Sequence, residues 1–189
     1  GHRRYITVPD KIDGKIVSSI GTAAFAGQTR LREVILPKQL KYIKGSAFAG
    51  CNNLLHIDIP DTVVSIGGEA FSDNVRLSYI AFGDNSQLMS VGREAFKNCF
   101  KLQRFELPAG LTKLDGSAFL GASNLIAFSV RAGNTAFSVQ EGVLFDSSKT
   151  TLVCYPAGLR GEYTMPEGIR EIGTCAFAMS RITTIDLTG

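Results

Sequence analysis

The sequence predicts a repeat solenoid that is mostly β, made of about eight stacked coils of about 23 residues each. Three observations predict it. The dipeptide Ala-Phe recurs in one register, an aliphatic residue precedes each of these Ala residues by four positions, and a pattern L-x-x-h-x-h (h is aliphatic or aromatic) begins six positions after most of the Phe residues. Self-similarity at such a period is the sequence signature of a solenoid. We expect a parallel concave sheet, with short strands, turns or single helical turns on the convex side.

The Ala-Phe register is the first element of the repeat. Its first five Phe residues lie 23, 23, 25 and 23 positions apart. A single coil cannot bury its own apolar edge, so neighbouring coils must stack at about 4.8 Å. We therefore expect one continuous buried stack of Phe and a second of aliphatic residues. The Phe residues are Phe25, Phe48, Phe71, Phe96, Phe119 and Phe177, and the aliphatic residues are Ile20, Ile43, Ile66, Val91, Leu114 and Ile172.

The L-x-x-h-x-h pattern is the second element. Its first copy is Leu31, Val34 and Leu36, and four further copies follow. Side chains alternate across a strand, so the pattern predicts a short strand with one face turned inward. Proline has no N–H for a ladder, and we expect it to stop the three strands that it follows, at Pro37, Pro60 and Pro108.

Two departures from the period predict insertions. Residues 83–90 carry two extra positions and should bulge as a loop. Phe177 lies 58 positions after Phe119, and between them residues 142–155 predict a β-hairpin around a polar turn.

The domain organisation follows from the repeat. We treat residues 1–189 as a single solenoid domain with a hairpin-type coil insertion at about 133–161, and we interpret residues 1–2 as a tag remnant. No apolar run of about 18 residues occurs, so no transmembrane segment is predicted. The first residues lack the apolar core of a signal peptide, so an export signal is expected to lie outside this sequence.

The charged residues are balanced and scattered along the chain. There are 20 basic and 17 acidic residues, a net charge of +3, and no block of like sign. A nucleic-acid or anionic-membrane partner requires concentrated positive charge. The charge pattern therefore predicts that the protein has no nucleic-acid partner.

The four cysteines are expected to be free, buried or half-buried thiols. Cys51 and Cys99 occupy one repeat slot two coils apart, which places them about 10 Å from each other, too far for a disulfide. The residues leave the redox state of Cys154 and Cys175 open.

No catalytic, cofactor or metal motif is present. The chain has only two histidines, His2 and His56, and a metal site requires several convergent His, Cys or carboxylate ligands. A nucleophile–base pair would have to use His56, and no local signature supports one. We therefore expect a protein that is not an enzyme and holds no cofactor.

Positions between the buried residues of each strand point outward and form two columns on the concave sheet. One contains Glu33, His56, Tyr79, Arg104, Ala127 and Thr184, and the other contains Ile35, Asp58, Ala81, Glu106, Ser129 and Asp186.

The candidate partner-binding site is a contact strip on these columns, made of His56, Asp58, Tyr79, Arg104 and Glu106. Tyr and Arg are the residues most enriched at interface hot spots. The alternative is an ordinary solvated sheet face with charge pairs such as Arg104 with Glu106 or Asp58. Rival sites are the loop 83–90 and the hairpin turn 146–150, because repeat insertions often map to a binding edge.

The repeat closely resembles the BspA-like leucine-rich repeats. The resemblance lies in P-x-x-h-x-x-I-G-x-x-A-F-x-x-C-x-x-L-x-x-h-x-h, clearest from Pro37 to Ile59, and it covers residues 5–187. It implies a solenoid of leucine-rich-repeat type with right-handed coiling. It also implies a secreted or surface protein of bacteria living on mucosal surfaces, with adhesion to host matrix proteins or other microbes as its role.

The functional hypothesis is a noncatalytic module that binds a protein or glycan of the host or of neighbouring microbes. The alternative is a structural spacer that displays another domain. It is suggested by the final coil, Ile182 to Leu187, which has no polar cap and would also permit end-to-end or strand-edge self-association. An enzyme using His56 would require a concave pocket with a carboxylate hydrogen-bonded to the imidazole.

Overall fold

A computed structural model describes residues 4–187 of the chain. These residues form a β-solenoid of about seven turns, followed by a last strand, and the described part contains no helix. The predicted mostly β solenoid is confirmed, and short strands and turns take the place of the single helical turns considered for the convex side. In chain order the strands are β1 (Tyr5–Thr7), β2 (Lys11–Ile12), β3 (Lys15–Ile16), β4 (Ser19–Ile20), β5 (Glu33–Ile35), β6 (Tyr42–Ile43), β7 (His56–Ile59), β8 (Ser65–Ile66), β9 (Tyr79–Phe82), β10 (Ser90–Val91), β11 (Arg104–Leu107), β12 (Lys113–Leu114), β13 (Ala127–Val130), β14 (Phe137–Gln140), β15 (Val143–Asp146), β16 (Thr151–Cys154), β17 (Arg160–Thr164), β18 (Glu171–Ile172) and β19 (Arg181–Asp186).

The concave side is built from the strands of the L-x-x-h-x-h pattern. They pair in parallel two at a time, β1 with β5, β7 with β9 and β11 with β13. Exposure alternates along them as predicted: Ile57 and Ile59 of β7 are buried, whereas Asp58 between them is exposed. Strands β7 and β11 end directly before Pro60 and Pro108, and β5 ends at Ile35, two residues before Pro37. Strands β9 and β13 end at the same repeat position without a proline, so the strand ends do not depend on proline alone.

The convex side carries one five-stranded parallel sheet in the order β12-β10-β8-β6-β4. Its register stacks the aliphatic residues rung over rung, and Ile20, Ile43, Ile66 and Val91 are buried. The prediction is wrong for Ile172, which is 51% exposed. This residue lies in the last described turn, and within residues 4–187 no later turn packs over it.

The predicted Phe stack runs through the centre of the solenoid. Successive rings from Phe25 to Phe119 have centroids 5.1 to 5.6 Å apart and are nearly parallel, an offset-stacked arrangement. Phe48, Phe71, Phe96 and Phe119 are buried, whereas Phe25 in the first coil is only half-buried. The N–H groups of the first four Phe residues, Phe25 to Phe96, each donate a 2.8 Å hydrogen bond to the Ala carbonyl of the next coil, for example Phe48 to Ala70. Ring stacking and a backbone ladder therefore hold the same rungs together.

The residue directly before Ala-Phe has a left-handed backbone in five of the six copies, with Ser117 as the exception, and the repeat pattern did not reveal this feature. Its φ is 54° at Ser46, 56° at Glu69 and 58° at Cys175. The position is exposed or half-buried in these coils. All four cysteines are free, and three of them are buried, but Cys175 is exposed because it occupies this position. The expectation of a buried or half-buried thiol is therefore wrong for Cys175.

The last coils replace the regular repeat by antiparallel strands. β14 pairs with β15, and β15 pairs with β16 to form the predicted hairpin. Tyr155 follows β16 and takes the place of the repeat Phe: its N–H donates to the carbonyl of Ala176 at 2.8 Å, and its ring lies 5.1 Å from Phe177. A second, smaller apolar cluster forms around this tyrosine.

Candidate functional site

The contact strip lies on the concave side, where parallel pairing places His56 directly beside Tyr79. Tyr79 is 61% exposed, and His56 is half-buried. The same register sets Asp58 beside Ala81. Two members of the strip, His56 and Tyr79, are thus brought together by β7 and β9.

The other half of the strip lies across a cleft. In the described part of the chain, β9 and β11 are not paired, so Tyr79 and Arg104 are not neighbours on one ladder. They line a cleft of about 380 Å³ together with Phe82, Glu106 and Arg131. The structure therefore brings Tyr79, Arg104 and Glu106 together around an opening rather than on a continuous sheet.

Arg131 spans this opening. Its guanidinium donates to the backbone carbonyls of Phe82 at 2.6 Å and Gly83 at 2.5 Å, and it forms an ion pair with Glu106 at 2.7 Å. Glu106 thus pairs with Arg131, and among residues 4–187 no ion pair joins Arg104 to Glu106 or Asp58. Sequence reasoning missed Arg131. The available signal was its repeat position, where Pro108 stands one coil earlier.

A second cleft, of about 280 Å³, separates β5 from β7. Glu33, Ile35, Lys38, His56 and Asp58 line it. No carboxylate of the described residues is hydrogen-bonded to the His56 imidazole. Likewise, no group of three or more His, Cys, Asp or Glu residues within positions 4–187 is placed to hold a metal ion.

The hairpin turn 146–150 uses its polar groups internally. The Asp146 carboxylate accepts hydrogen bonds from the hydroxyl of Ser148 and from the N–H groups of Thr150 and Thr151, the latter two at 2.8 Å. Partial desolvation opposes ionisation, but the hydrogen bonds outweigh it and lower the pKa of the Asp146 carboxyl. This carboxylate is committed to shaping the turn.

The backbone of the loop 83–90 is hydrogen-bonded to the preceding coil. Its Gln87 and Met89 N–H groups donate to the carbonyls of Asp61 and Val64 at 2.8 and 2.9 Å. Asp84 and Asn85 at its tip are exposed. The loop therefore adds a polar rim beside the carbonyls that Arg131 contacts.

Comparisons with known proteins agree on the type of repeat. The family model described as BspA type leucine rich repeat region matches residues 6–150 in six copies. No curated protein matches the chain. No helix of the described residues has the length and apolar character needed to cross a membrane.

Solved structures of bacterial proteins share the fold. The pneumococcal vaccine antigen PcpA is similar with a TM-score of 0.84 and 29% identity, over 97% of this chain and 50% of that one. A leucine rich cell surface protein from Faecalibacterium prausnitzii is similar with a TM-score of 0.67 and 20% identity, over 97% and 60% of the two chains. A leucine-rich repeat protein from Eubacterium ventriosum gives a TM-score of 0.67 and 24% identity, over 84% and 48%. The chain thus spans about half the length of these proteins.

Proposed function

The chain belongs to the BspA-type leucine-rich repeat family, and we propose that it is a noncatalytic protein- or glycan-binding module of a bacterial cell-surface or secreted protein. Its role is adhesion to the host or to neighbouring microbes. Relatives of this fold include a vaccine antigen and a cell surface protein, which supports an extracellular location.

The cleft between β9 and β11 is the observation that carries the proposal. It presents an exposed aromatic side chain, Tyr79, beside the exposed cation of Arg104. Because Arg104 has no ion-pair partner among residues 4–187, its guanidinium is available to a ligand. Tyrosine and arginine are among the residues most enriched at interface hot spots.

The concave face also supports a noncatalytic role. His56, the one imidazole in the described chain, lacks the carboxylate that would orient it as a general base. Its neighbours across the β5–β7 cleft, Ile35 and Lys38, supply contact surface rather than a nucleophile.

The test combines a pull-down from host and microbial extracts with a glycan array, using Tyr79→Ala and Arg104→Ala. Each should weaken binding at least tenfold if the residue is a hot spot. Matched controls are Tyr42→Ala, a half-exposed tyrosine of β6 on the convex sheet, and Lys113→Ala on β12. If both strip variants bind like the wild type, the strip is not the site, and a structural spacer becomes the better account.

A further inference from the structure

The fold gathers basic side chains along one edge of the concave sheet. Each stands directly before the first Leu of an L-x-x-h-x-h pattern or one or two positions after it, or, for Arg4, at the matching position of the first coil. All of them are exposed. The basic edge consists of Arg4, Arg30, Arg32, Arg76, Lys101 and Arg104.

Stacking of the coils turns distant sequence positions into neighbours. The Arg32 N–H donates to the Arg4 carbonyl at 2.7 Å, the Leu55 N–H to the Arg32 carbonyl at 3.3 Å, and the Ser78 N–H to the Leu55 carbonyl at 2.9 Å. Each bond advances the edge by one rung, which is about 4.8 Å. The cations therefore follow a line across the solenoid, although they are scattered along the sequence and the rung of Leu55, between Arg32 and Arg76, carries none.

The turn that precedes β11 continues this line. The Asp73 N–H donates to the Lys97 carbonyl at 2.8 Å, so the turns that precede Arg76 and Lys101 remain on adjacent rungs even though β9 and β11 are unpaired. The Asp73 carboxylate itself accepts hydrogen bonds from Asn98 and Ser72.

The positive charge of the edge is not neutralised by the protein. Glu33 is the one acidic residue at these positions in the coils from β1 to β13, against six basic residues, whereas the whole chain has 20 basic and 17 acidic residues. The ion pairs found among residues 4–187 involve Arg93, Lys97 and Arg131, none of which belongs to the edge. The edge is thus a local excess of positive charge in a nearly balanced molecule.

We infer that the basic edge binds a linear sulfated polysaccharide, an inference that rests on the proposed role as a surface-binding module. A polymer with regularly repeated anionic groups matches cations that stand in a line on several rungs of the solenoid. Arginine binds oxyanions such as sulfate through two parallel hydrogen bonds. Tyr5 and Tyr79, 62% and 61% exposed, stand beside the edge and offer flat faces for sugar rings. A sulfated glycan is favoured over a nucleic acid because the proposed location is extracellular.

The experiment measures retention on immobilised heparin as a function of NaCl concentration. The edge variant combines Arg30→Gln, Arg32→Gln, Arg76→Gln and Lys101→Gln. The control variant removes the same number of charges from exposed positions elsewhere, through Lys44→Gln, Lys113→Gln, Lys149→Gln and Arg170→Gln. Released counterions make polyanion binding salt-dependent, so the edge variant should bind at least about tenfold more weakly and with a shallower salt dependence, while the control keeps most of its affinity.

Three outcomes would overturn the inference. Equal losses in both variants would show that only net charge matters. Undiminished binding of desulfated heparin would remove the sulfate groups from the interaction, and equal affinity for a single-stranded DNA of the same charge would point to a nucleic acid or an unspecific polyanion. The proposed function is tested separately. If a ligand whose binding requires Tyr79 still binds the edge variant, the proposed function holds and this inference is wrong.

Discussion

The side-chain amide of Asn74 donates a 2.8 Å hydrogen bond to the backbone carbonyl of Phe48, one coil earlier. The same slot holds Cys51 and Cys99, whose thiols lie 3.1 Å from the Phe25 carbonyl and 3.3 Å from the Phe71 carbonyl. Cysteine and asparagine thus serve the same purpose here. Each satisfies a carbonyl at the centre of the solenoid and ties two coils together.

Replacing Asn74 by leucine should destabilise the protein by about 1–3 kcal/mol, because a buried carbonyl loses its short hydrogen bond. Only the long bond of 3.4 Å from the Cys51 N–H would remain on the Phe48 carbonyl. Asn74→Cys restores a donor of the kind found at Cys51 and should cost less. Urea denaturation at neutral pH measures both changes. An equal loss for the two variants would mean that side-chain volume, not the hydrogen bond, determines this slot.

The buried cysteines should make the protein sensitive to alkaline pH. Burial raises the pKa of Cys51 from 9.0 to about 11 and that of Cys154 to about 12. A raised pKa in the folded state means that folding favours the neutral thiol. This stabilisation is complete below a pH of about 9, the unfolded pKa, and is lost as the pH rises through about 11.

Urea midpoints measured between about pH 8 and pH 11 should therefore fall, and the fall should be smaller in Cys51→Ala than in the wild type. Thiol labelling under native conditions gives a second measurement. Only the exposed Cys175 should react quickly near pH 8, and the other three should react after unfolding. Rapid native labelling of Cys51 would contradict the burial argument.

Gly67→Ala should destabilise the solenoid because two coils meet at this glycine. A β-carbon there would lie 2.7 Å from the Gly45 nitrogen and 2.8 Å from the Lys44 carbonyl carbon, both backbone atoms that cannot rotate away. We expect a loss of about 1–3 kcal/mol in unfolding free energy. Gly21→Ala is the matched control, since it has the same place in the repeat and nothing within 4 Å. Similar melting curves for the two variants would show that the coils have room to separate.

The repeat period was sufficient to predict which side chains are buried. It assigned Phe48 to the core and Tyr79 to the surface because residues one period apart stack, and that depends only on their spacing. It did not reveal Tyr155 in the place of a repeat Phe, because Cys-Tyr replaces Ala-Phe inside an irregular coil.

The period also could not predict the cleft or the basic edge. Spacing tells which rung a residue occupies, but not whether neighbouring backbones pair, and the opening between β9 and β11 depends on that pairing. Arg32 and Arg76, which follow one another along the basic edge, are 44 positions apart in the sequence. They look scattered until the chain is coiled.

Arg131→Met tests whether the guanidinium maintains the cleft between β9 and β11. The substitution keeps an apolar stem but removes the donors to the Phe82 and Gly83 carbonyls and the ion pair with Glu106. Hydrogen bonds from a charged group contribute about 1.5–3 kcal/mol, and because 48% of the Glu106 side chain is exposed, we expect a loss at the low end of that range.

Hydrogen exchange should show where the loss occurs. Amides of β9 and β11 should exchange faster in Arg131→Met, while the convex sheet should stay protected, because the contacts removed are local to the cleft. Arg93→Met is the control, since its ion pair with Glu94 is on the surface, with 77% of the arginine side chain exposed, and surface pairs contribute about 0–1 kcal/mol. If the two variants exchange alike at β9 and β11, Arg131 does not hold the opening. The shape of the cleft would then depend on the strands alone.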